Sequence, residues 1–282
     1  MRRIVKLSLI GLVIGLLGMV YTYSVYGNDI TDEIFGEYEV FEISDQVDAK
    51  DINVINIELS GAQLNIEPTE GEQIKVEYEA KIFELTNNDY DLTMDKIGDV
   101  LHIELKQNKA MTLTSILNDV DVNVLIPNKQ FENISIESNA GKVSINDVQL
   151  VKLDIEANVG YVNLNDVAAD SIDMEVTVGK VNMNEVVGNF DLTLNAAKMV
   201  AKLSEISQNM RFVADAGRFE FILKEEPTNL EVDLNINNGS LKVGLPLDFD
   251  EKSKRKVRGS IGQGDHSLFG RIDHGNFKIY VE

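Results

Sequence analysis

The sequence predicts an all-β chain built as a parallel β-solenoid of coils about 19–22 residues long. Three observations carry this. First, one short pattern recurs six times between Phe131 and Pro246, as in ISIESNAGKVSINDV, LDIEANVGYVNLNDV and IDMEVTVGKVNMNEV. Its small residues are Gly141, Gly160, Gly179, Ala197, Gly217 and Gly239, spaced 19, 19, 18, 20 and 22 apart. A period near 20 marks stacked repeats. Second, the positions seven and five before the small residue, and two and four after it, are apolar in every copy. These run from Ile134, Ile136, Val143 and Ile145 to Val232, Leu234, Leu241 and Val243, in a chain only 44% hydrophobic. Alternation within each half gives a short strand with one face inward. One copy alone cannot bury that face, and the next copy covers it. Third, Asn146-Asp147, Asn165-Asp166 and Asn184-Glu185 fall at one place in three copies, a turn signal that also suits an asparagine ladder.

In chain order, Arg2, Arg3 and Lys6 precede a charge-free run from Leu7 to Asn28. That run is long enough to cross a bilayer as a helix, and Tyr21, Tyr23 and Tyr26 crowd its far end. Residues 1–28 are therefore read as a single-pass signal-anchor transmembrane helix. The basic flank places the N-terminus in the cytoplasm and the rest outside the cell membrane. A signal peptide cleaved near Val25-Tyr26-Gly27 is the rival reading. Residues 29–50 read as an acidic juxtamembrane spacer with one short strand, Tyr38 to Ile43. Residues 51–282 form the solenoid domain, with regular coils over 131–246 and a capping region over 247–282.

Within that domain, Ile55, Ile57, Leu64 and Ile66 surround Ala62 at the repeat offsets, which predicts an earlier coil. Ile74 to Leu85 alternates less cleanly, and Val100 to Leu105 is a strand. Asn87 to Asp91 and Lys109 to Asp119 read as loops, with a helical turn open at Leu113 to Leu117. Val122, Val124 and Ile126 lead through Pro127 into the coils. Lys252 to Arg258 is a basic run, open to two readings: contact with anionic wall polymers or lipid head groups, or a solvated loop beside acidic coils. The last strand, Asn276 to Val281, repeats the pattern through Gly275, Phe277 and Ile279. It is expected to close the stack.

The chain carries 47 acidic and 26 basic side chains, a net charge of -21. Removing Arg2, Arg3 and Lys6 leaves the exported part at -24 (-21 - 3). That argues against a nucleic-acid partner, which demands neutralised phosphates. It repels anionic polymers and attracts cationic peptides or divalent ions, or it serves solubility alone; wall polymers, through the basic run at Lys252 to Arg258, and another envelope protein are further candidate partners. No cysteine is present, so disulfides, thiolate metal sites and a lipidated cysteine are excluded.

No catalytic motif stands out: there is no G-x-S-x-G, no Walker loop and no H-E-x-x-H. His102 sits on the solvent face of a strand. Asp265-His266 and Asp273-His274 lack the spacing of a metal or proton-transfer site. No catalytic, cofactor-binding or metal-ligating residue is assigned, and no cofactor is expected. The register does stack surface columns: Asp154 and Asp173 six before the small residue, Glu156 and Glu175 four before it. These four are the candidate face for a cationic ligand. Lys142, Tyr161, Lys180, Lys198, Arg218 and Ser240 follow the small residue as a largely basic column.

The stretch DVNVLIPNKQFENISIESNAGKVSI, and the order of anchor, irregular strands, V-x-V-x-I-P and repeats, resembles the bacterial putative-adhesin domain family. The resemblance covers Ile52 to Val281. It implies an envelope-associated β-strand repeat protein, often behind a transmembrane segment, with relatives in responses to envelope-targeting antimicrobial peptides. It supplies no catalytic residues. Ala197 departs from the repeat's glycine, which leaves that coil's turn geometry open. The reading is a non-enzymatic, membrane-anchored, adhesin-like or envelope-stress module. A polysaccharide-acting β-helix enzyme and a structural protein assembling through solenoid edges are the alternatives.

Overall fold

A computed structural model describes residues 38–83, 90–107 and 119–282. The expected membrane segment, the first part of the spacer (29–37) and the turn at Leu113 to Leu117 lie outside these. Among the described residues no helix is long and apolar enough to cross a membrane.

The strands, in chain order, are β1 (Tyr38–Asp48), β2 (Val54–Leu59), β3 (Ala62–Thr69), β4 (Gln73–Phe83), β5 (Tyr90–Ile97), β6 (Val100–Gln107) and β7 (Asp119–Pro127). Then come β8 (Phe131–Asn184), β9 (Val187–Leu203), β10 (Met210–Leu223), β11 (Leu230–Gly244), β12 (Asp248–Lys252), β13 (Lys256–Ile261) and β14 (His266–Val281). The fold is all-β and mostly parallel, a solenoid-like stack in which each coil is one sequence repeat. β8 runs through three successive coils, and β9 and β10 add one each in parallel register.

The register confirms the repeat. Gly179 pairs with Ala197, and Ala197 with Gly217. Of the apolar positions predicted in the six copies, all but Val243 are buried, and Val243 packs against the same core. A further inward column, three before the small residue, was not predicted. It holds Leu59, Ser138, Ala157, Val176, Leu194, Ala214, Ile236 and Ile272. Inward positions thus fall seven, five and three before the small residue and two and four after it. The residues flanking the small one, such as Val159 and Tyr161, are both exposed. Only a corner permits that switch.

The corner explains the glycines. A Cβ on Gly160 would stand 1.9 Å from the Gly141 carbonyl oxygen, and one on Gly179 equally close to that of Gly160. The coils approach too closely there for any side chain. Ala197 nevertheless keeps register on both sides, so its coil turns without disruption. The opposite corner uses the left-handed region: Asp147, Asp166 and Glu185 have φ of 52°, 53° and 50°. Asparagines bridge coils as expected, Asn184 Nδ2 donating to Asn165 Oδ1 at 2.6 Å and Asn146 Nδ2 to Asn65 Oδ1 at 3.1 Å.

The ends depart from sequence order. The predicted Ala62 coil exists, formed by β2 and β3, and lies directly on the Gly141 coil. Beyond it lie β6 and β7, parallel to β2 and β3. Antiparallel strands follow, β5 on β6, β4 on β7 and β1 on β4. The strand expected at Tyr38 to Ile43 continues to Asp48, so this part of the spacer is sheet. Tyr90 and Asp91, expected in a loop, open β5, and Asp119 opens β7.

At the other end, β14 does not close the stack. It lies between β10 and β11, pairing Gly217 with Gly275 and Gly275 with Gly239. The 22-residue step from Gly217 to Gly239 is therefore two rungs. The chain skips one coil and fills it last. Phe277 explains the placement: its ring stacks on Phe212 at 5.3 Å and meets Phe221 at 5.2 Å. Gly270 makes room, since a Cβ there would lie 2.3 Å from the Phe212 ring. The outer edge belongs to the β12–β13 hairpin, antiparallel on β11. The basic run is its turn, and the Arg255 and Lys254 carbonyls accept from the Ile236 and Leu241 amides.

Candidate functional site

The first half-strand of each coil builds the predicted acidic face. Its inward residues, such as Leu153 and Ile155, are buried, so the alternate residues between them point outward. Asp154, Glu156, Asp173 and Glu175 line one shallow concavity with Glu137, Asp191, Thr193 and Arg211. The four predicted residues are therefore brought together.

They are not equivalent. Lys152 Nζ lies 2.7 Å from Asp154 Oδ1 and 3.1 Å from Asp173 Oδ2, bridging two coils. Hydrogen bonds to these carboxylates raise the Lys152 pKa above its ordinary value. Asp191 is held by Arg211 at 2.6 Å. Glu156 and Glu175 are exposed and have no hydrogen-bond or ion-pair partner among the described residues.

The glutamate column is longer than predicted. Glu58 pairs in register with Glu137 on one side and Glu104 on the other. Glu104, Glu58, Glu137, Glu156 and Glu175 thus occupy five successive rungs, and Thr193 ends the series. Among the described residues only Glu104 of the five is paired, with Lys106 at 2.6 Å. Rungs stand about 4.8 Å apart, so each neighbouring pair repels by about 1 kcal/mol even in water. A cation laid along the column relieves that repulsion. Glu58 was open to sequence reasoning, because it stands four before Ala62. Glu104 was not, because its strand carries no repeat.

Among the described residues no group of three or more His, Asp or Glu side chains is placed to hold a metal ion. Asp265 and Asp273 accept from Asn229 and Asn237, and His274 meets Asn238 at 3.4 Å. These are cross-coil rungs. A hollow near Asp48, Glu70 and Asp147 is lined by Lys129, which donates to the Ala49 and Ile52 carbonyls.

Residues 52–280 match the family described as Toastrack DUF4097. The chain belongs to the DUF4097 toastrack family. The match falls on the stretch, Ile52 to Val281, that resembles adhesin-domain repeats. No curated protein matches it. Among solved structures, a "putative cell adhesion protein" from Clostridium sporogenes is 13% identical, covering 86% of this chain and 100% of its own, with a TM-score of 0.38. A "putative adhesin" from Bacteroides fragilis is 11% identical, covering 85% and 97%, with a TM-score of 0.40. A "putative lipid binding protein" from Parabacteroides distasonis is 9% identical, covering 85% and 96%, with a TM-score of 0.40.

Proposed function

We propose that this toastrack chain is a non-enzymatic protein of the bacterial envelope. Its N-terminal segment holds it in the cell membrane, and its coil stack works outside as a binding or envelope-stress module. Its ligand class is the cationic amphipathic peptide. The observation that supports this reading is the five-rung glutamate column, four of whose members have no hydrogen-bond or ion-pair partner among the described residues.

Each exposed contact contributes well under about 1 kcal/mol, so affinity comes from several rungs engaged at once. Lys152 already neutralises part of the aspartate column, which leaves the glutamates as the stronger half of the face. The alternative of assembly through solenoid edges is opposed by the edges themselves. β1 carries Glu39, Glu42 and Asp45, and β12 carries Asp248, Asp250 and Glu251. Charged edge strands guard against strand addition. The enzyme alternative requires a cleft with convergent polar groups, whereas this face is shallow and built from repeating rungs.

The test is binding of a fluorescent cationic amphipathic peptide to the full-length chain in zwitterionic micelles. Glu58→Gln/Glu137→Gln/Glu156→Gln/Glu175→Gln is expected to weaken binding at least fivefold at low salt. Asp154→Asn/Asp173→Asn is expected to weaken it less. Parent affinity should fade as the Debye length shrinks from about 10 Å at 0.1 M salt to about 3 Å at 1 M. Equal binding by the glutamate variant and the parent would reduce the column to a solubility feature. Orientation is checked separately: protease added to intact protoplasts should remove a C-terminal tag.

A further inference from the structure

The second half-strands in the middle of the stack carry the opposite sign. Across the coils from Gly141 to Gly217, the outward positions hold Lys142, Lys180, Lys198, Lys202 and Arg218 against one carboxylate, Glu220. Glu220 is already occupied by Lys278 and the Tyr280 hydroxyl, each at 3.3 Å. Lys180, Lys198 and Arg218 stand on consecutive rungs, and Tyr161 separates them from Lys142. All four cations are exposed, and none forms an ion pair among the described residues. The side-chain contact of Lys180 is the Tyr161 ring, 5.0 Å away. Elsewhere in the stack the pattern differs: Lys152, Arg211 and Arg271 each meet an aspartate.

We propose that this row is a docking track for a linear phosphate polymer. Among the described residues none of the four has a carboxylate at ion-pair distance, and Lys142, at the end of the row, feels the field of one, Asp121. From Lys142 to Arg218 is four rung steps, about 19 Å, and like charges at that pitch repel until an anion intervenes. The row is one residue wide, which suits an extended chain. Beside it run Asn163 and Asn182, joined at 2.8 Å, whose amides offer hydrogen bonds to phosphate or hydroxyl oxygens. Net charge does not forbid the contact. Packed sheets are about 10 Å apart, and the Debye length is about 8 Å at 0.15 M. The glutamate face is thus largely screened from the track. A bilayer suits it less well, because Val159 and Val178 at the corner are too short to reach the acyl boundary about 5–10 Å deep.

The probe is fluorescent long-chain inorganic polyphosphate, titrated into the full-length chain in zwitterionic micelles over a range of salt. Binding is expected at low salt, with log affinity falling against log salt at a slope of about -3, four phosphates at about 0.7 each. Lys142→Gln/Lys180→Gln/Lys198→Gln/Arg218→Gln should lose at least tenfold in affinity and most of that slope, with unchanged circular dichroism. Lys254→Gln/Arg255→Gln/Arg258→Gln, in the basic hairpin, should bind like the parent. Orthophosphate at equal phosphate concentration should not compete. The proposal is overturned if the parent ignores polyphosphate, if the hairpin variant alone loses it, or if orthophosphate competes equally. It is also overturned if anionic vesicles bind through the row while polyphosphate does not. Low-salt self-association that disappears in the row variant overturns it too, by assigning the row to a second copy.

Discussion

The middle of the stack and its ends obey the same packing rule but are connected differently. From Gly141 to Gly217 each coil rests on the one just before it in sequence. At the ends the neighbours are remote. Gly217 meets Gly275, Gly239 meets Gly275, and Ala62 meets Gly141. The middle grows by local addition, whereas each end requires a loop of dozens of residues to close first. Stability in the middle is therefore nearest-neighbour, as in any solenoid. The C-terminal end depends on one late strand shared by two coils.

Removing that strand is the sharpest way to break the comparison. Truncation after Gly264 strips β14 from both β10 and β11 and leaves Phe212 and Phe221 without Phe277. The expected outcome is loss of protection from β10 onward in amide hydrogen exchange, with the Gly141 to Gly179 coils still protected. Uniform loss of protection would show that the middle is not an independent unit.

Next in size is Gly160→Val, in the middle itself. Its Cβ would meet the Gly141 carbonyl, so two coils must part, at a cost of about 4 kcal/mol or more. Ala197→Gly is the control. That coil already tolerates a methyl group in register, so the change should cost no more than about 1 kcal/mol. Urea denaturation measures both. Similar costs for the two would refute the close-approach account of the corner.

This difference also decides what the sequence disclosed. Coils at a fixed step write their neighbours into the chain, so the core columns and the face at Asp154, Glu156, Asp173 and Glu175 were legible. β14 was half legible, because Gly275, Phe277 and Ile279 fit the pattern while Gly270 stands where the other copies carry a core side chain. Its place between β10 and β11 was not legible, since no local signal says that a coil is skipped. β4 and β5 run antiparallel and lack the repeat, which is why one looked irregular and the start of the other looked like a loop. Glu104 joined the glutamate column through the same remote stacking.

Phe277→Ala tests the shared strand without deleting it. An aromatic lost from a packed core costs about 3–5 kcal/mol, and here the cavity opens among three phenylalanines. Gly270→Ala should also destabilise, because the Phe212 ring occupies the space its methyl needs. A Phe277→Ala cost below about 1 kcal/mol would mean that something other than this cluster holds β14 in place.

The smallest effects separate the regions by pH. Tyr78, in the antiparallel N-terminal end, is buried, and desolvation, helped by Tyr90, pushes its pKa up to about 12. Its folded value exceeds the unfolded value near 10, so its contribution is complete below about pH 10. That contribution is lost as pH rises toward 12. Glu185, at a corner of the middle, works in the opposite direction. Lys224 at 2.8 Å and Ser204 at 2.5 Å hold its carboxylate and lower its pKa. Its contribution is present above the ordinary glutamate value and fades as pH falls through the lower folded value. Lys224 is largely exposed, so the effect is a fraction of that of a buried pair. Tyr78→Phe should flatten the alkaline limb of stability alone, and Glu185→Gln the acid limb alone. If either variant moves both limbs, the two regions do not titrate independently, and the division between a locally stacked middle and remotely closed ends is too simple.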